Sequence, residues 1–261
     1  MAYDRLLERL YLVDDGWIVK GATALLVRDL GMRATIDVDL YARRRRKSPR
    51  QTFELRPAET LETGSGSRSV QREQWAKVSQ ELDFRSPHMS GPRPGAQFHV
   101  DLVGADLRMT GEPEPVPPLA LIVMPDIEQH GYRAYPLPDH LADKVLATFQ
   151  RYGPQQLPST RYKDLVDLVG IVTGASLDAE AALRALTSEA TRRRVQLPPA
   201  FDIPDRSLWE PGYSAQARHS LLPLAATLDD ALAILRPCLD PLLDYSASGR
   251  WEPAKRLWQP K

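Results

Sequence analysis

The stretch from Trp17 to Leu40 constrains this chain more than any other. Trp17-Ile18-Val19 reads as a short buried strand, Gly21 as a tight turn, Thr23 to Leu30 as a helix stopped by Gly31, and Thr35-Ile36-Asp37-Val38-Asp39-Leu40 as a second strand. In an extended chain residues two apart share a face. Asp37 and Asp39 therefore project side by side, with Ile36, Val38 and Leu40 packed behind them. Such a pair suits a hard cation such as Mg²⁺, which takes oxygen ligands and keeps waters and substrate phosphates in its shell. Gly21 lets backbone amides approach a ligand closely, and the helix start beyond it favours an anion such as phosphate.

Length and composition leave room for a folded, soluble protein. The 261 residues can hold one large domain or two modest ones, and 43% hydrophobic with 26% charged residues is ordinary globular usage. The formal net charge is zero, so any attraction to nucleic acid has to come from local patches. Cys238 is the single cysteine, which excludes an internal disulfide, fits a cytoplasmic, reducing compartment and predicts a buried thiol. The segment Tyr3 to Val13 places Leu6, Leu7, Leu10 and Val13 at helical spacing among Asp4, Arg5, Glu8 and Arg9, an amphipathic helix and no signal core. No apolar run approaches the roughly eighteen residues that would span a bilayer, so no membrane partner is expected.

Beyond the first unit, Arg43 to Lys47 is the densest positive charge, either a solvated loop or a phosphate-binding patch. Ser48 to Ser69 reads as a loop, and Val70 to Phe84 fits a helix or a strand. Phe98 to Val103 alternates like a strand and carries Asp101 between apolar neighbours, where a carboxylate is costly to bury without a partner. A metal shared with Asp37 and Asp39 would supply one; an edge-strand aspartate is the plainer alternative. A proline-rich connection, Glu112 to Pro118, leads to strands at Leu119 to Met124 and Tyr132 to Tyr135. From Pro138 the pattern turns helical: Leu141 to Arg151, Arg161 to Val172, Asp178 to Arg193 and Leu228 to Leu235, with a proline-rich loop from Gln196 to Gly212. The expected fold class is α+β, divided near residue 137 into a mixed-sheet domain, 1–137, and a mostly helical domain, 138–261.

The helical half carries a second polar group. Lys144 follows a helix start beside inward-facing Leu141, Val145 and Leu146, and Asp164 and Asp167, three apart, share a helix face among Leu165, Val166, Leu168 and Val169. A surface ion pair such as Lys163 with Asp167 would stabilise by only a few tenths of a kcal/mol. The apolar surroundings place at least one of these carboxylates at the junction of the halves.

Four ordered pieces, Lys20-Gly21-Ala22-Thr23-Ala24-Leu25, Thr35-Ile36-Asp37-Val38-Asp39, Asp143-Lys144 and Arg161-x-Lys163-Asp164-x-x-Asp167, make the chain resemble the nucleotidyltransferase toxins of the AbiEii/AbiGii and MenT family, in the polymerase-β-like superfamily. The resemblance covers roughly residues 15–170. Two positions depart from it: Gly21-Ala22 stands where the family usually has two glycines or glycine and serine, and Thr35 stands where it often has serine.

The resemblance implies a polymerase-β-like N-terminal domain and transfer of a nucleoside monophosphate from a nucleoside triphosphate (NTP) to an acceptor. Asp37 and Asp39 would hold Mg²⁺ or Mn²⁺, with Asp101 completing a two-metal set or acting as base. Lys20, Gly21, Ala22, Thr23 and Thr35 would bind the nucleotide, Gly21 to Thr23 cradling its phosphates. Lys144 would neutralise triphosphate charge, Asp164 would orient Lys144 or the nucleotide across the junction, Arg161 and Lys163 would be supports or acceptor-phosphate contacts, and Asp167 would be a secondary residue of the same motif. The acceptor suggested by the family is the 3′ end of tRNA, with a cognate antitoxin as partner and Arg43 to Arg46 and Arg192 to Arg194 suited to a phosphate backbone. Nucleotidylation of a small molecule or of a protein, and a non-catalytic binding module, are the alternatives.

Overall fold

The computed structural model describes residues 7, 11, 16–28, 30, 37–42, 77–78, 99–103, 109–118, 131–218 and 225–260, with 37, 38, 42, 77–78 and 99–103 described by backbone. In chain order the first half runs β1 (Trp17–Lys20), α1 (Gly21–Leu26), β2 (Asp37–Ala42), β3 (Lys77–Val78), β4 (His99–Val103), β5 (Glu114–Val116) and β6 (Tyr132–Ala134). The strands form one mixed sheet in the order β3-β4-β2-β1-β6-β5. β2 lies antiparallel to β1 and parallel to β4, and β1 lies parallel to β6.

α1 starts earlier and ends sooner than the expected Thr23–Leu30 helix. In a longer helix Ala24 would accept from the backbone amide of Arg28; here that amide donates to the Leu25 carbonyl at 3.2 Å, and the Arg28 side chain donates Nη1 to the Ala24 carbonyl at 2.9 Å. The same guanidinium donates Nη2 to Glu114 at 2.7 Å and to the Tyr135 carbonyl at 2.8 Å. A side chain has replaced the next helical turn, which satisfies a terminal carbonyl as the backbone would have done. Gly31 lies outside the described residues. So do Thr35, the Arg43–Lys47 run, the Ser48–Ser69 loop, most of Val70–Phe84 and the Leu119–Met124 strand.

The proline-rich connection contains a strand, β5, at the sheet edge. Its position explains the tolerance of Pro115, since an edge strand can spare a ladder donor. Of the N-terminal helix, Leu7 and Tyr11 are described: both are helical, Leu7 is fully buried, and the Tyr11 hydroxyl donates to the Trp17 carbonyl at 2.8 Å and accepts from the Arg133 amide at 2.9 Å.

The second half comprises α2 (Leu137–Phe149), α3 (Tyr162–Gly174), β7 (Leu177–Asp178), α4 (Ala179–Arg193), α5 (Arg206–Ala217), α6 (Leu228–Leu243), β8 (Arg250–Glu252) and β9 (Leu257–Gln259). α2 begins at Leu137 rather than Leu141, with Pro138 in its first turn, where a missing N–H costs nothing, and Glu114 accepts from the Leu137 amide at 3.0 Å. Strands β7, β8 and β9 form a small antiparallel sheet that periodicity did not reveal.

Two proline-based expectations are corrected. The Gln196–Gly212 loop gives way to α5 from Arg206: Asp205 caps it by accepting from the Leu208 amide at 3.2 Å, and Trp209 and Tyr213, one turn apart, are fully buried. α6 does not stop at Leu235 but continues past Pro237 and Pro241 to Leu243. An interior proline costs roughly 3 kcal/mol, whereas burying a leucine stabilises by about 1.5–3 kcal/mol. Continuation buries Cys238, Leu239, Leu242 and Leu243, and Pro237 sits on the exposed face, where the carbonyl it frees can meet water. Burial wins. The buried thiol of Cys238 is as expected.

The helical core extends into the first half: Leu25 and Leu30 pack in the same cluster as α2, α3 and α6. Among the described residues no helix is long and apolar enough to cross a membrane. Because Leu25 is fully buried at this junction, Leu25→Ala is expected to cost about 2–5 kcal/mol and to shift a single unfolding transition in urea. Two separated transitions, only one of them moved, would show that the halves fold independently.

Candidate active site

The tightest constraint in the first half is the contact between Gly21 and Asp39. Lys20 and Asp39 are register partners across β1 and β2, so the turn that begins at Gly21 folds directly over the Asp39 side chain. Gly21 has φ +62°, and a Cβ there would lie 1.6 Å from Asp39 Oδ2. Both the backbone angle and the space therefore require glycine. The departure at Ala22 carries no such penalty, since Ala22 and Thr23 are buried inside α1. Asp39 itself is half-buried.

Strand pairing places Asp101 opposite Asp39, and His99 opposite Asp37, on parallel neighbours. The side chains of Asp37 and Asp101 lie outside the described residues, as does Thr35. Among the described residues no three His, Cys, Asp or Glu side chains gather as metal ligands. What the described part offers a cation is a half-buried carboxylate held against a glycine, and oxygen is the donor a hard cation takes.

Lys20 joins this corner to the helical half. Its Nζ lies 3.4 Å from Asp143 Oδ2 on α2 and 4.8 Å from the centre of the Tyr135 ring, a cation–π distance. Burial, followed by the carboxylates of Asp139, Asp143 and Glu189, holds the Tyr135 phenol far above its ordinary range, so it stays protonated. Burial also works to raise the Asp143 carboxyl, but Lys20 and Arg193 outweigh it and hold the group below the ordinary carboxylate value.

The next residue, Lys144, points into the core. Its side chain is 7% exposed and donates to Asp164 Oδ1 at 3.0 Å and Asp167 Oδ2 at 2.6 Å, both on α3. Burial opposes its charge, yet the two carboxylates prevail and raise its pKa. Asp164 is held below its ordinary value by Lys144 and by Arg161, whose Nε donates to Asp164 Oδ2, against a burial that would raise it. Arg161 leaves about half of its side chain in solvent, and Lys163 is exposed.

Arg193 does not offer its guanidinium to solvent as the expected phosphate-binding cluster required. It donates to Asp143, to Glu189 at 2.5 Å and to Gln150 at 2.7 Å, and Arg192 also pairs with Glu189. The Glu189–Arg193 spacing of one helical turn was readable in the sequence; Asp143, on another helix, was not. Tyr135 and His140 carried no sequence signal either. His140 is buried, edge-on to Tyr135 at 6.0 Å, and its Nδ1 has no hydrogen-bond partner among the described residues.

Residues 5–234 match the family described as the nucleotidyl transferase AbiEii toxin of a type IV toxin–antitoxin system. Among solved structures the chain is similar to MenT4, a nucleotidyltransferase toxin from Mycobacterium tuberculosis H37Rv, at 18% identity and TM-score 0.43 over 90% of this chain and 91% of that one. No curated protein matches the chain.

Two predictions follow from the geometry. Gly21→Ala is expected to lose about 1–2 kcal/mol from backbone conformation alone and to displace the Asp39 carboxylate, seen as a lower urea midpoint; an unchanged midpoint would refute the contact. The second concerns pH. Burial, then Lys144, Lys20 and Arg28, holds His140 neutral well below its ordinary pKa of 6.5, so the unfolded chain binds the extra proton. Its contribution to stability is complete above pH 6.5 and is lost as pH falls below it, at up to about 1.4 kcal/mol per pH unit. The lowered carboxyls of Asp143 and Asp164 act in the same direction at lower pH: their contribution is complete above the ordinary carboxylate pKa and is lost as pH falls through it. His140→Phe should flatten the melting temperature between pH 6.5 and 5 and leave the steeper acid limb in place.

Proposed function

The chain belongs to the AbiEii family of nucleotidyltransferase toxins of type IV toxin–antitoxin systems, and from that premise we propose that it transfers a nucleoside monophosphate from an NTP to the 3′ end of tRNA. The observation that carries the reading is the Gly21 turn folded onto Asp39, with Lys20 beside it, which brings a glycine turn, a carboxylate and a cation to one corner.

In this reading Asp37, Asp39 and Asp101 hold Mg²⁺ or Mn²⁺. The cation, when bound, supplies charge neutralisation on the triphosphate. The chain's own part is to place the α-phosphorus. The backbone at Gly21, Ala22 and Thr23, with Thr35, receives the phosphates, and Lys20 balances their charge. The acceptor hydroxyl oxygen bonds to the α-phosphorus, the bond from that phosphorus to pyrophosphate breaks, and the hydroxyl proton passes to a carboxylate of the set, Asp101 where it serves as base.

Lys144 enters this scheme differently from a free cation. Bound by Asp164 and Asp167, it holds α2 against α3, while Arg161 and Lys163 face solvent where acceptor phosphates could meet them. An antitoxin partner follows from the toxin family, and a cytoplasmic setting accords with the single buried cysteine.

Labelled NTPs incubated with total tRNA test the assignment. Wild-type protein should label RNA with one of the four triphosphates, and Asp37→Asn and Asp39→Asn should each lower the rate at least about hundredfold with the metal-free melting temperature maintained, because paired carboxylates repel without a cation. Label on a small molecule or a protein band with RNA unlabelled would move the acceptor to those classes. An Asp39→Asn protein as active as wild type would remove the carboxylate mechanism.

Lys144→Met addresses the triad separately. It leaves two buried carboxylates without their shared cation, for an expected loss of about 3–5 kcal/mol in urea unfolding. A loss under about 1 kcal/mol would mean that the ion pairs contribute no more than a surface bridge.

A further inference from the structure

We propose that Arg193 is a positioning residue for Lys20, acting through Asp143: it occupies one carboxylate oxygen so that Lys20 is held beside the Gly21 turn without being closed onto the other, and can turn to an incoming triphosphate. The inference rests on the nucleotide reading above. The two oxygens of Asp143 are divided between partners. Arg193 Nη2 donates to Oδ1, whereas Lys20 Nζ stands 3.4 Å from Oδ2, longer than the usual N–H···O distance of about 2.9 Å. One cation is closed on the carboxylate and the other is only held near it.

The guanidinium is itself fixed. It also donates Nε to Glu189 at 2.5 Å and Nη1 to Gln150 at 2.7 Å, and its side chain is 11% exposed. A planar fork holds its acceptors in fixed directions on two sides, whereas a lysine offers its three donors from a single point. Three cations, Lys20, Arg192 and Arg193, face two carboxylates, Asp143 and Glu189, so the group keeps one net positive charge. Lys20 is the member of this group that adjoins Gly21, where the Asp39 corner begins. Without Arg193 the Asp143 anion would face Lys20 alone and compete with phosphate for it. The lowered carboxyl of Asp143 agrees with its double pairing.

A merely structural Arg193, tying α4 to α2, makes a different prediction from a positioning one, and a double-mutant cycle separates them. Isothermal titration of the full chain with each of the four ribonucleoside triphosphates in Mg²⁺ gives the affinity. Arg193→Met should weaken the best-bound triphosphate about tenfold, the loss expected for one charge-assisted contact. Adding Asp143→Asn to Arg193→Met should restore most of that affinity, because the competing anion is gone, even though a further native contact has been removed. A double variant no tighter than the single, or an Arg193→Met protein that binds as wild type, would overturn the inference and leave the nucleotide reading standing. Wild-type protein that binds none of the four would overturn both. Should Arg193→Met fail to fold, Arg193→Lys carries the test: it keeps the charge and loses the fork, and an affinity below wild type that Asp143→Asn restores is the expected result, with unchanged affinity the refuting one.

Discussion

A lysine ammonium buried between two carboxylates governs the arrangement of this molecule's second half. Lys144, Asp164 and Asp167 are each nearly solvent-free, and none of the three charges could sit there without the others. The ion triad therefore dictates how α2 lies on α3. With α2 so placed, Asp143 leaves the core on the adjacent position of the same helix and meets Lys20 at the end of β1. The geometry of the sheet corner is thus tied to a salt bridge buried two elements away.

The second constraint is steric. A carboxylate oxygen occupies the space where a Cβ of residue 21 would be, so β1, the turn and β2 lock together around a glycine. Arg28 reinforces the same corner by closing α1 with its side chain and pairing with Glu114, which also accepts from the first amide of α2. Strand register then decides that Asp101, sixty-odd residues along the chain, faces Asp39 and not a neighbour two positions away. A one-residue slip would turn the strand over.

Hydrophobic periodicity made the helices of the second half legible, because Leu and Val at three- and four-residue spacing can bury only one way. Its failures came at prolines. α5 contains Pro211 and α6 contains Pro237 and Pro241, and local propensity argues against each; burial of Trp209 and Tyr213, and of Cys238 through Leu243, outweighs it. β5 was missed for the related reason that Pro115 is forbidden only inside a sheet, and edge position is a tertiary fact. The family and its enzyme class were also legible, since four short motifs in fixed order carry more information than any one of them.

At the Lys20–Leu40 corner, the sequence alone determined that carboxylates alternate along a strand, that a glycine precedes a helix, and that Lys144, Asp164 and Asp167 lie among apolar residues. These are local properties, set by periods of two and of three to four residues. The tertiary structure decided who meets whom. That Lys144 pairs with Asp164 and Asp167 within the core, that Arg193 directs its guanidinium to Asp143 and Glu189, and that Gly21 is pressed against Asp39 all depend on contacts between distant segments. Charge and shape complementarity across such distances has no period, and only packing reveals it.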